Sequence, residues 1–195
     1  MPDLVDATPL LGFYGLFFGP PVRFGEVITL KHRATGAKLH SHRCDYSHPG
    51  GSGQQQVTGF NRGNSDDLWK VLGPHPEPLA YGDGKAVVNG DSVRLRHQTT
   101  GRYLHSHGGF VSPATRQQEV TAFGEDGRGD DNDNWVVQLR FGDLWRRRSW
   151  LRLVHSNTRA ALHSHAGHEI ATCWEAQQEV TGFSGRDRND WWSVS

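Results

Sequence analysis

The sequence predicts an all-β fold, a β-trefoil of three four-stranded units with pseudo-threefold symmetry. Composition and one thrice-repeated pattern predict it. The 195 residues include 24 glycines, nine prolines and seven tryptophans, against four lysines and one methionine. Such a chain is poor in strong helix formers and rich in turn residues and in aromatics suited to a half-buried pleated surface. The pattern opens with Leu-His-Ser-His at 39–42, 104–107 and 162–165. A further histidine (His32, His97, His155) stands seven residues before each leucine. Gln-Gln-x-Val-Thr-(Gly/Ala)-Phe follows at 54–60, 117–123 and 177–183, then Asp-x-Trp-x-Val at 67–71, 133–137 and 190–194. Four features in one order, three times over, mark a duplicated unit.

Local chemistry places each element. In the first unit strands are expected at 27–32, 38–43, 56–60 and 68–72. Ala34-Thr35-Gly36 makes the first turn and the Gly/Pro-rich stretch 48–53 the second. The second unit turns at Thr100-Gly101 and the third at Asn157-Thr158. Twelve short strands and no helix result. Three units are too few for a propeller, but they suit a closed barrel capped by hairpins, which leaves no long free edge. The expected units cover about 24–74, 87–139 and 147–195, in a domain 24–195 behind an extension, 1–23. Strand alternation puts each leucine and serine of Leu-His-Ser-His on one face and the two histidines on the other. Leu39, Leu104 and Leu162 are expected in the core, with Val57/Phe60, Val120/Phe123, Val180/Phe183 and the closing Trp69, Trp135 and Trp192.

The 21 basic and 21 acidic residues cancel, which removes the general electrostatic case for a nucleic-acid or anionic-membrane binder. The near-apolar run 10–19 is too short to span a bilayer. No Lys or Arg precedes it and no clear small-x-small cleavage site follows. It therefore reads as an apolar apron on the domain rather than as a signal peptide. Cys44 and Cys173 are too few for a disulfide framework, though one bond between them is possible. The acidic, glycine-containing stretch with Glu125, Asp126, Asp130, Asp131 and Asp133 lacks the ligand placement of a calcium hand and reads as a solvated loop. Arg146-Arg147-Arg148, with Arg140 and Arg152 nearby, reads as a solvated turn, with a local anion or partner-docking patch as the alternative.

Three chemistries fit the repeated histidines and glutamines. A metal site would use His-x-His as two ligands, but no Cys, Asp or Glu recurs beside the pairs at ligand spacing, so no metal is expected. Alternatively, each side chain braces backbone groups left free at hairpin ends. In the third reading the side chains line a shallow polar pocket for hydroxyl or amide groups of a glycan or extended peptide. The last two are compatible. Ser41, Ser106 and Ser164 point away from the histidines, and no nucleophile elbow or phosphate loop is present, so no enzyme is expected.

The triple pattern of Leu-His-Ser-His, Gln-Gln-x-Val-Thr and Asp-x-Trp resembles the MIR domain. That module is shared by protein O-mannosyltransferases, inositol trisphosphate and ryanodine receptors, and stromal cell-derived factor 2-like proteins. The second unit, Leu104 to His107 and Gln117 to Glu125 with its acidic loop, is most similar to the last group. The first and third are equally similar to the luminal MIR domain of a mannosyltransferase. The resemblance implies a β-trefoil without catalysis or cofactor. It implies residence in the endoplasmic reticulum lumen, although the chain shows no retention tail at Ser195. It further implies work in quality control beside a J-domain cochaperone and a luminal heat-shock chaperone, or in O-mannosylation. By motif position the ligand-facing residues are His40, His42 and Gln55, then His105, His107 and Gln118, then His163, His165 and Gln178. The expectation is a non-catalytic module binding luminal polypeptide or mannosyl glycan, without a membrane span and without nucleic acid. The alternatives are a structural docking adaptor and an accessory fragment of a protein O-mannosyltransferase.

Overall fold

The computed structural model describes residues 19–76 and 81–195, so most of the expected extension lies outside the described residues. Among the described residues thirteen strands form one all-antiparallel sheet. The first unit supplies β1 (Val27–Ile28), β2 (Leu30–His32), β3 (Lys38–Asp45), β4 (Gln55–Phe60) and β5 (Trp69–Leu72). The second supplies β6 (Ser92–His97), β7 (Tyr103–Val111), β8 (Gln118–Phe123) and β9 (Trp135–Leu139). The third supplies β10 (Leu151–His155), β11 (Ala161–Ala171), β12 (Ala176–Phe183) and β13 (Trp192–Val194).

The strand expected at 27–32 is two strands. β1 pairs with β5 of its own unit, whereas β2 pairs with β13, the last strand of the chain. The opening strands of the other units behave alike: β6 pairs with β5 and β9, and β10 with β9 and β13. Each opening strand thus joins two closing strands, and the sheet closes across the chain ends.

The three hairpins share one register. Ser41 faces Val57, Ser106 faces Val120 and Ser164 faces Val180, and each hairpin shifts register just beyond. The hairpins then pair with one another in a ring, β4 with β8, β8 with β12 and β12 with β4. A second ring joins the segments leading into the units. The N–H of Val22 donates to Trp145 O, that of Trp145 to Val87 O, and that of Val87 to Val22 O, at 2.8, 2.9 and 2.9 Å.

Between these rings lies the core, in which the three leucines, the three valines and the closing tryptophans are fully buried. Each tryptophan indole N–H donates to the carbonyl of its own unit's leucine (Leu39, Leu104, Leu162) at 2.9 Å. Phe60, Phe123 and Phe183 depart from the expectation, because they are only half-buried. Each stands three residues after its valine, an odd step on a strand, so it takes the opposite face. There it stacks on His40, His105 or His163, with centroids 4.7–4.8 Å apart.

Single 3-10 turns at Ser65–Asp67, Asp131–Asp133 and Arg188–Asp190 precede the closing tryptophans. Each begins with a capping box from Asn64, Asp130 or Asp187. One turn carries no hydrophobic period, so these elements escape a sequence reading.

Cys44 and Cys173 are bonded, joining β3 to the β11–β12 loop over a separation of 129 residues. Replacing both by alanine should cost about 2–4 kcal/mol in denaturant unfolding, the usual effect of freeing a long loop. The same loss should appear when the unmodified protein is unfolded with reductant.

Candidate ligand-binding site

At each junction between units a hydrogen-bonded relay consumes the motif glutamines. Gln55 Nε2 donates to its own unit's Ser41 Oγ at 2.7 Å and to Thr100 Oγ1 of the next unit at 3.2 Å. Gln118 does the same to Ser106 and Thr158, and Gln178 to Ser164 and Thr35. Each threonine hydroxyl also meets the Nδ1 of a fully buried histidine: His97, His155 and His32 at 2.9, 2.8 and 2.9 Å. The Nε2–H of that ring donates back to a carbonyl of the previous unit, Asp66, Asn132 or Asn189, each at 2.9 Å. Since a carbonyl only accepts, Nε2 carries the proton and Nδ1 accepts from the threonine. Burial pushes all three rings below the usual histidine range.

The serines are equally committed. Ser41, Ser106 and Ser164 donate to the carbonyls of Gln56, Glu119 and Glu179 at 2.6–2.7 Å.

The first histidine of each pair is also built in. His40, His105 and His163 are buried and donate Nδ1–H to Asp67, Asp133 and Asp190 at 2.9, 3.0 and 2.9 Å. The sequence shows those aspartates in Asp-x-Trp, but nothing in it joins them to a histidine 27 or 28 residues earlier. Burial pushes the Asp133 carboxyl up, and the His105 hydrogen bond pulls it back. Among the described residues two clusters, His105/Asp130/Asp133 and His163/Asp187/Asp190, are close enough to share a cation. Their carboxylates already serve the capping boxes: Asp133 accepts from Asp130 N and Asp190 from Asp187 N, while Asp130 and Asp187 accept from Asn132 N and Asn189 N.

The second histidines occupy three different settings. His107 is exposed beside Phe110 and accepts from Gly109 N. His165 is half-buried between His163 and His168. His42 is only 7% exposed, yet neither ring nitrogen has a hydrogen-bond partner. Its ring meets Trp174 at a centroid distance of 4.5 Å. Burial lowers its pKa and the neighbouring His40 adds to the effect, while the nearby Gln177 side chain and Asp66 oppose it. Trp174 belongs to the third unit, follows the disulfide, and is 66% exposed. Sequence reasoning missed it because the other units have no counterpart.

Beside this pair a groove of about 460 Å³ runs between the first and third units, lined by Thr35, Phe60, Arg62, Glu175, Gln177 and Gln178. A second, of about 370 Å³, separates the first and second units and holds Arg43, Asp45, Gln55, Thr100, Arg102 and Glu125. The arginine run is mostly tied down: Arg146 donates to Gly19 O and Arg147 pairs with Glu26, while Arg148 stays exposed.

The MIR domain family matches residues 46–194. The chain belongs to the MIR-domain family. It is 39% identical over 173 residues to a stromal cell-derived factor 2-like protein of Dictyostelium discoideum, covering 88% of this chain and 80% of that one. Human stromal cell-derived factor 2 is 38% identical over 174 residues, or 89% and 79% of the two chains. The crystal structure of the Arabidopsis thaliana SDF2-like protein superposes with a TM-score of 0.83 at 35% identity, covering 90% of this chain and 95% of that one. A Saccharomyces cerevisiae protein O-mannosyltransferase Pmt1-Pmt2 complex bound to the sugar donor gives a TM-score of 0.78 at 30% identity, over 90% of this chain and 25% of that one. Among the described residues of this MIR protein no helix is long and apolar enough to cross a membrane.

The buried relay histidines set a pH dependence. In the unfolded chain His97 titrates near 6.5, and in the folded protein lower. The unfolded state therefore takes up the proton first. Stability from the neutral ring is present above about pH 6.5 and is lost as pH falls below it. Tm should drop between about pH 7.5 and 5.5, and His97→Gln should flatten that slope while lowering Tm at neutral pH. Comparing variant with parent isolates the histidine from the buried Glu119 and Asp133, whose raised pKa values act in the opposite sense.

Proposed function

We propose that this MIR protein is a β-trefoil binding module of the secretory pathway, without catalysis of its own, that recognises polypeptide or O-mannosyl glycan in quality control or O-mannosylation. The family supports the setting, since its relatives are stromal cell-derived factor 2-like proteins and the MIR portion of a mannosyltransferase complex. A J-domain cochaperone with its luminal chaperone is the partner class that goes with this setting.

One observation carries the choice of site. His42 is buried with two unpartnered ring nitrogens beneath an exposed tryptophan. An unpartnered buried polar group costs about 1–3 kcal/mol, which the ring offsets only by packing on His40 and Trp174. Both nitrogens are shielded from solvent beside the exposed Trp174 ring, so a ligand that uses that ring as an apolar platform completes the hydrogen bonding of His42 only by shifting it. The groove between the first and third units extends the ledge past Gln178. His107 and His165 add weaker contacts around the ring, multiplied by avidity. His40, His105, His163 and the three glutamines frame these positions, leaving to a ligand only the atoms that the relay does not use.

A glycan and peptide array probed with the recombinant protein tests this reading. A mannose-containing or extended-peptide hit should weaken about tenfold in Trp174→Ala with Tm unchanged, and at least as much in His42→Ala, where the lost buried ring also lowers Tm. Gln55→Leu should instead lower Tm by stranding Ser41 and Thr100. Undiminished binding by Trp174→Ala would rule out the ledge as the site.

A further inference from the structure

The duplication explains residues that recur at equivalent positions, so a built feature found in one unit only calls for another reason. One junction carries such a feature on its surface. Five side chains alternate as cation and ring: Arg33, Trp150, Arg140, Trp191 and Arg152. The Arg33 guanidinium lies 4.6 Å from the Trp150 ring centre and that of Arg140 lies 4.5 Å from it. Arg140 also lies 5.9 Å from Trp191, over which Arg152 stacks at 4.0 Å. At the matching positions of the other units Trp191 is replaced by Leu68 and Asn134, Trp150 by Val27 and Ser92, and Arg33 by Gln98 and Ser156. The backbone is unchanged there, because the N–H groups of Arg33, Gln98 and Ser156 donate to the carbonyls of Trp191, Leu68 and Asn134 alike. The ladder is thus added on a scaffold that does not need it.

Its cations are of two kinds. Arg152 is neutralised within the fold, with Asp190 at 3.3 Å and a hydrogen bond to Asp187 O. Arg33 and Arg140 are exposed, and among the described residues neither has a carboxylate partner. Stacking uses their flat faces and leaves the N–H edges for an anion. Phe141, its ring 5.2 Å from the Arg140 guanidinium, is 68% exposed at the rim of a notch of about 260 Å³ shared with Arg140, Ser149 and Trp150. Fixed guanidiniums, an exposed ring and a small notch ask for carboxylates and an apolar side chain at close spacing.

We propose that this face docks an acidic segment of a partner polypeptide. Its carboxylates pair with Arg33 and Arg140 while an apolar side chain enters the notch beside Phe141 and Trp150. The guanidiniums already rest against the Trp150 ring in the free protein, which reduces the ordering that binding requires. This surface is distinct from the His42–Trp174 ledge.

The probe is a short fluorescein-labelled peptide of alternating Glu and Leu, measured by anisotropy on the full chain. Its Gln-for-Glu counterpart and phosphatidylserine/phosphatidylcholine vesicles are run in parallel. Saturable, salt-sensitive binding of the Glu peptide is expected, and Arg33→Glu or Arg140→Glu should weaken it about tenfold or more. Phe141→Ser should weaken it too, whereas Arg148→Glu and Trp174→Ala should not. Arg33→Gln with Arg140→Gln keeps the test readable if a charge reversal disturbs folding, with Tm measured for every variant. The proposal is overturned by no saturable Glu-peptide binding, by equal binding of the Gln peptide, by an equal loss in Arg148→Glu, or by vesicle capture without peptide capture.

Discussion

Everything in this domain depends on the hydrogen-bonded relay that crosses each junction. A glutamine in one unit reaches a serine of its own hairpin and a threonine of the next unit. That threonine meets a buried histidine whose other nitrogen returns to the first unit. Every member is satisfied only if its neighbour is in place, so an isolated unit would leave buried polar groups stranded. The third unit must hand its bonds to the first, through Gln178 to Thr35 and His32 to Asn189. Closure is therefore a polar requirement as well as a hydrophobic one. This accounts for the identity of His, Ser, Gln and Thr in all three copies without appeal to a ligand.

The residue between the glutamine pair and the valine extends the same logic to the hairpin tips. Glu119 accepts from Ser52 of the first unit's loop, and Glu179 accepts from Ala114 and Thr115 of the second's. In the first unit the position is Gln56, which makes one bond to Ala171 O at the end of β11, where the third unit's loop begins, and leaves its own oxygen unpartnered. That most weakly clasped loop is the one held by the Cys44–Cys173 bond. The covalent link stands where the non-covalent clasp is thinnest, and it fixes the segment that presents Trp174.

How much of this was legible in the sequence follows from range. Leucines, valines and tryptophans at repeated spacings announced an all-β core, because each is placed by the periodicity of its own strand. Phe60 and its counterparts show the limit of counting motif members without parity: three residues from a core valine is the wrong face. The aspartate beside each first histidine, and the threonine beside each glutamine, were present in the sequence as letters. Their partnerships span 27 to 143 residues, and only the closed sheet brings them together. The sequence also left open whether the histidines brace or bind, and the bonding differs within each pair. His40 and its equivalents are committed to aspartates in every unit, whereas His42, His107 and His165 share no common partner.

That contrast divides the molecule into residues bonded alike in every unit and residues whose settings differ from unit to unit. Positions with bonds across a junction cannot drift without breaking the ring, so they are the same three times. Positions facing outward are released from that constraint, and there the copies diverge: Trp174 over His42, the Trp191 ladder, the acidic loop near Glu125. Trp174–His42 and the ladder both fall where the third unit meets the first. At that junction the opening and closing strands of the chain pair through β2 and β13. Peptide continuity joins the other two junctions directly, while this one relies on the sheet, the relay and one disulfide. A ligand or partner contacting both units there would bind the closed ring and not the opened one, so binding at this junction is linked to the stability of the whole domain.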